Sequence, residues 1–201
     1  MFKDIKQGIL FTVVSMTLLG VYHVVLWSIG NAAFAAQVEG SLIRRDDGTI
    51  VGSRLVAQEF KRREYFRPRP SAAGYDASAT GGSNYGPSNP DHLKAVQERI
   101  DAIVKEDGVQ ASQIPSEMVT ASGAGTDPHI PPAAAALQAT RVASSRSVDV
   151  SRVRELIAAH TETPTLGVLG RDRVNVLELN LALDATFGPP AQAPTNETNS
   201  R

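Results

Sequence analysis

The chain contains no cysteine among its 201 residues. Disulfides and thiolate metal sites are therefore excluded, and nothing follows about the redox state of its compartment. Aromatic residues are scarce, at 5%. Neither sign of charge is in excess: 20 basic and 21 acidic residues leave a net charge of −1. That balance gives no reason to expect a nucleic-acid partner. There is no G-x-x-x-x-G-K-S/T phosphate loop. The histidines at 23, 92, 129 and 160 show no metal-ligand pairing, and no metal site is expected. The 16 glycines and 12 prolines predict instead that much of the chain is ordered loop.

One further absence is local. From Gly8 to Gly30 there is no Asp, Glu, Lys or Arg. The run matches the roughly 20 residues that carry a helix across the hydrocarbon core. Trp27 stands near its far end, where an amphipathic ring suits the interface. Lys3 and Lys6 precede the run, and no Lys or Arg follows it before Arg44. The positive-inside rule then places the N-terminus in the cytoplasm and residues 31–201 outside. A cleaved signal peptide is the rival reading, with Ala33-Phe34-Ala35 as an A-x-A site, but the apolar run exceeds the usual length of a signal core. Gly8, Thr12, Ser15 and His23 fall on one side of the helix. They read either as a stripe for a partner helix in the bilayer or as side chains that bond back to their own backbone.

The expected organisation is a cytoplasmic N-terminus (1–7), a transmembrane helix (8–30), one extracytoplasmic α+β domain with long ordered loops (31–187) and a disordered tail (188–201). Asp47-Gly48 between β-type residues predicts a hairpin. Residues 66–90 hold no long apolar period and read as a long ordered loop that buries Phe66, Tyr75 and Tyr85. Asn89 and Pro90 are a cap and first position for a helix whose apolar residues run from Leu93 to Val104 and which Gly108 ends. That helix is expected to pack on the sheet. A second loop covers Pro115 to Pro132. Pro132 opens an alanine-rich helix to about Ser144, and Asp149 caps a third. Asn175 and Glu178 have capping-box spacing before a final helix, although the alternating leucines from 177 to 183 also suit a strand.

Each chemical signal has a structural alternative. Gly81-Gly82-Ser83 and Gly123-x-Gly125 offer amides to an anion, or simply make tight turns, and the turn reading is preferred. Ser122, Asp127 and His129 resemble a triad, but triads are set by geometry and seldom assemble within eight positions of one loop. Arg62, Arg63, Arg67 and Arg69 surround Tyr65-Phe66, as a solvated face or as a subunit contact.

YFRPRPSAAGY, GGSNYGPSNP, VTASGAGTDPHIPPAAAALQATRVA and RVNVLELNLALD occur in this order. Together they resemble the KdpC family, the C subunits of Kdp potassium-transporting ATPases, from the apolar run to about Asp184. Family members commonly carry Leu at the position of Tyr85 and Ser at that of Ala124.

The resemblance implies a non-catalytic subunit of a high-affinity potassium uptake complex in the bacterial inner membrane. Its partners would be a channel-like A subunit, a P-type ATPase B subunit and a small F peptide. ATP and the potassium ion would belong to the complex, with no cofactor bound directly by this chain. An alternative role is that of a catalytic chaperone raising the ATP affinity of the B subunit. ATP is cytoplasmic, however, and the charge rule puts residues 31–201 on the other side. The contact candidates are Tyr65, Phe66, Arg67, Arg69, Ser71, Gly74, Tyr75, Gly81, Gly82, Ser83, Asn84, Gly86, Asn89, Ser122, Gly123, Asp127 and His129. No catalytic residue is assigned.

Overall fold

The computed structural model describes residues 2–45 and 47–190. Beyond Pro190 the expected tail lies outside the described residues. The chain divides into two compact units, Met1–Val51 and Gly52–Arg201.

The first unit is dominated by helix α1 (Phe2–Ala33), which buries no residue against the rest of the chain. Among the described residues it is the one helix long and apolar enough to cross a membrane. Thr12 Oγ1 donates to the Gly8 carbonyl at 2.9 Å, and His23 Nδ1 lies 2.7 Å from the Leu19 carbonyl. These polar groups are thus satisfied within their own helix, as hydrocarbon requires. A short helix, α2 (Ala35–Val38), follows. Strand β1 (Leu42–Arg44) pairs with β2 (Ile50–Ser53), whose second half belongs to the next unit. Gly48 takes φ +82° in the intervening turn, as the Asp-Gly pair predicts.

The second unit mixes helix and sheet. Its helices are α3 (Pro90–Asp107), α4 (Ser116–Val119), α5 (Pro132–Arg146), α6 (Val150–Ala159) and α7 (Val176–Phe187). Three very short strands, β3 (His129–Ile130), β4 (Thr161–Glu162) and β5 (Arg173–Asn175), form an antiparallel sheet in the order β3-β5-β4. Val174, opposite both Ile130 and Thr161, is fully buried at its centre.

The caps behave as the sequence requires. The Asn89 side chain accepts from the Asp91 and His92 amides, and Gly108 closes α3 in the left-handed conformation. Asp149 accepts from the Ser151 amide, and Asn175 from the Glu178 amide. Residues 176–187 are helical. Val176, Leu179, Asn180 and Leu183 face the core at helical spacing, which decides between the helix and strand readings of that segment. They pack with Ala134, Ala135, Ala139 and Val142 of α5 and with Val153 and Ile157 of α6.

One packing expectation is corrected. Helix α3 lies on α4 and α5, not on the sheet. The three strands carry few residues, so their faces are taken up by α5 and α7. The second loop is also less irregular than expected, since it contains α4 and β3.

Candidate functional site

The long loop over residues 66–89 threads through the core instead of running over it. Phe66 is completely buried. Its amide donates to Asn180 Oδ1 at 2.8 Å, and its carbonyl accepts from Asn180 Nδ2 at 2.9 Å. The next residue is held in the same way from another helix. The Arg67 amide donates to Gln138 Oε1 at 2.8 Å, and its carbonyl accepts from Gln138 Nε2 at 3.2 Å. A buried loop backbone needs such partners, because an unpaired amide or carbonyl away from water is costly. Arg141 adds a third tie. Its guanidinium pairs with Asp107 and donates to the carbonyls of Arg63 and Tyr65. Tyr65 itself donates to Asp184 at 2.8 Å. Burial, and then that bond to a carboxylate, raises its phenol above the ordinary value.

Beyond Phe66 the loop meets the second loop, residues 120–131, and the two interlock. The Ser122 amide donates to the Pro70 carbonyl at 2.9 Å, the Gly81 amide to the Ala124 carbonyl at 3.0 Å, and Ser71 Oγ to the Gly125 carbonyl at 2.6 Å. Ser71 Oγ also accepts from the amides of Ala73 and Tyr75. A Cβ on Gly82 would stand 2.9 Å from the Gly123 carbonyl oxygen. One on Gly125, which has φ +72°, would stand 2.8 Å from the Gly81 carbonyl oxygen and 2.9 Å from Ala73 Cβ. Both glycines are thus demanded by the approach of one loop to the other. The Gly81 and Gly125 amides already donate within the protein, which favours the turn reading over an anion cradle.

Ser122, Asp127 and His129 do not assemble as a triad. Ser122 is buried, and its Oγ accepts from the Gly125 amide at 3.2 Å. Among the described residues no hydrogen bond joins it to His129. Asp127 Oδ1 instead accepts from the His129 amide at 3.0 Å and lies 3.5 Å from His129 Nδ1, while Oδ2 lies 3.3 Å from Arg69. Burial pushes the Asp127 carboxyl upward, but the His129 hydrogen bonds and the Arg69 charge outweigh it and hold the group below the ordinary carboxylate value. Beside this pair opens a charged cavity of about 300 Å³, lined by Arg69, Glu117, Asp127, His129 and Arg171 among others.

The basic stretch is therefore largely internal. Arg67 pairs with Glu106, Arg69 with Asp127 and Arg62 with Glu64, and Arg63 donates to the Glu106 carbonyl. Gly74 turns the chain at φ +64°, with Tyr75 following at φ +60°. Ser83, Asn84 and Gly86 are exposed, whereas Asn89 serves as a helix cap. Gly8, Thr12, Ser15 and His23 lie apart, on α1. Sequence reasoning missed Gln138, Arg141 and Asn180. The available signal was three polar residues on otherwise apolar helix faces.

A family model described as the K+-transporting ATPase c chain, KdpC, matches residues 5–185. The chain belongs to the KdpC family. Among curated relatives, the "Potassium-transporting ATPase KdpC subunit" of Beijerinckia indica is 48% identical over 197 residues, covering 96% of this chain and 98% of that protein. The subunit of the same name from Polaromonas naphthalenivorans is 49% identical over 189 residues, with 92% and 95% covered. That from Citrifermentans bemidjiense is 46% identical over 186 residues, with 90% and 97% covered. The KdpC match takes in α1, both interlocked loops and most of α7.

Proposed function

We propose that the chain is a non-catalytic subunit of a potassium-transporting P-type ATPase, required for assembly and activity of its channel-like and ATPase subunits. In this reading α1 anchors it in the inner membrane and the second unit works on the extracytoplasmic side. The channel-like A subunit, the P-type B subunit and a small F peptide are its partners, and ATP and potassium belong to them. The observation that carries the reading is how the motif side chains are used. Arg67, Arg69, Ser71, Ser122 and Asp127 are bonded to neighbours in their own fold and hold two loops in one shape. A surface fixed in this way suits docking, since little freedom is left to lose on binding. Exposed Ser83, Asn84 and Gly86 lie on that surface. On α1, Gly8 and the inward-bonded Thr12 leave a small-residue stripe suited to a partner helix.

Removing this subunit from the purified complex is expected to abolish potassium-stimulated ATP hydrolysis, and unchanged hydrolysis overturns the proposal. The absence of cysteine makes the orientation directly testable. A Ser83→Cys chain in intact cells should react with a membrane-impermeant maleimide added from outside. Protection until the cells are opened would place Ser83 in the cytoplasm and favour the ATP-affinity role.

A further inference from the structure

Residues 163–170 connect β4 to β5, and they end in an exposed apolar tip. Leu166 is 87% exposed, Val168 77% and Leu169 60%. Elsewhere in the described part of the second unit, large exposed apolar side chains occur singly, at Leu55, Tyr85, Leu93 and Val104. Isolated exposures of that kind are ordinary, whereas three within four residues form a patch that implies a partner.

The tip is also closed on itself. The Thr165 amide donates to the Leu169 carbonyl at 2.9 Å, the Leu169 amide to the Thr165 carbonyl at 3.0 Å, and the Gly167 amide to the Pro164 carbonyl at 2.9 Å. Gly167 takes φ +76° and Gly170 φ +103°. Leu166, a bulky residue, is held at φ +56°. Such strain in a side chain that touches water marks a conformation kept for a purpose other than its own packing. At its base, β5 is the central strand of the sheet, so the tip is carried by the core.

We propose that residues 165–169 are a preformed docking finger whose three apolar side chains enter an apolar socket on a partner subunit of the ATPase; this rests on the accessory-subunit reading above. A protein socket suits the finger better than a lipid surface does. A fluid acyl layer needs no fixed backbone shape, whereas a socket rewards one. The tip carries no Trp, Tyr or Lys to seat it at a membrane interface. Its flanks supply no basic patch for anionic lipid either, because Asp172 follows Arg171 and Arg173 pairs with Glu162 at 2.9 Å.

The test uses the full chain, tagged and expressed with the other subunits, with partners identified by mass after detergent extraction. The Leu166→Ser/Val168→Ser variant is expected to retain at least tenfold less of the partner subunits than the unaltered chain. Its own thermal unfolding midpoint should be unchanged, since neither side chain packs in the core. Leu93→Ser, an exposed apolar residue elsewhere, should retain partners normally. Wild-type retention by the finger variant overturns the finger while leaving the accessory role standing. Failure of the unaltered chain to retain any pump subunit overturns the accessory role itself. A Val168→Cys chain carrying an environment-sensitive dye completes the test. The dye should be shielded from an aqueous quencher only when partner subunits are present. Shielding of the chain alone in phosphatidylethanolamine–phosphatidylglycerol vesicles would assign the tip to lipid and overturn the proposal.

Discussion

Asn180, in the middle of α7, holds both backbone groups of Phe66 through its single side-chain amide, at 2.8 Å and 2.9 Å. Gln138 on α5 does the same for Arg67. Two consecutive loop residues are thereby paired as they would be in a sheet, with helix side chains in place of a neighbouring strand. This explains how an irregular segment passes through a core without stranding its amides.

Asn180→Leu keeps the size and removes both partners of Phe66. Two buried backbone groups are then unsatisfied, at about 1–3 kcal/mol each. A loss of roughly 2–5 kcal/mol is expected in denaturant unfolding of the detergent-solubilised chain. Gln138→Leu should behave alike. Because the two clamps hold adjacent residues, the double variant should lose less than the sum of the single losses.

The glycines of the two motifs should separate into two classes. Gly125→Ala must place a methyl group at φ +72° against the Gly81 carbonyl, and Gly82→Ala one against the Gly123 carbonyl. Each is expected to destabilise by more than about 1 kcal/mol. At Gly86 and Gly123 an added Cβ meets nothing within 4 Å and the backbone is not left-handed. Alanine there should change stability by no more than about 0.5 kcal/mol. Comparable losses at all four positions in thermal unfolding would mean that the interlock is not what fixes these glycines.

Much of the fold could be read before any coordinates. The charge-free run from Gly8 to Gly30, Asn89-Pro90, Gly108, Asp149 and the spacing of Asn175 to Glu178 are local signals, and each marks a real element boundary or helix. What escaped was tertiary. Strands of two or three residues such as His129–Ile130 have no periodicity to detect, so the sheet was invisible and α3 was assigned to it. The interlock of Gly82 with Gly123 and of Gly125 with Gly81 joins loops some forty residues apart. Sequence displays two glycine-rich turns there, and nothing local says that each needs the other. Arginines at 67 and 69 looked like a surface because Glu106 and Asp127, which pair with them, are remote in the chain.

The Arg141–Asp107 pair is buried on both sides, with 1% and 5% of the two side chains exposed. Arg141→Met strands the Asp107 carboxylate and frees the Arg63 and Tyr65 carbonyls, at a cost of about 3–5 kcal/mol. Adding Asp107→Leu removes the stranded charge and should recover a good part of that loss. If the double variant is no more stable than Arg141→Met alone, the carbonyl contacts rather than the ion pair hold the segment in place.

Asp127 gives the folded chain a definite acid response. Its carboxyl titrates below the ordinary value of 3.8, so the folded state favours its ionised form. The resulting stabilisation is fully present above that ordinary value and disappears as pH falls through the lower folded value. Asp127→Asn retains an oxygen for the His129 amide but gives up the charge facing Arg69. The variant should therefore unfold at a lower temperature than the unaltered chain at pH 5, and the difference should shrink steadily from about pH 4 to pH 2. Arg69→Gln should show the same convergence, because it removes the other half of the pair. Thermal midpoints measured across that range decide the matter: a gap as wide at pH 2 as at pH 5 would mean that the Asn side chain disturbs packing and that the charge contributes nothing.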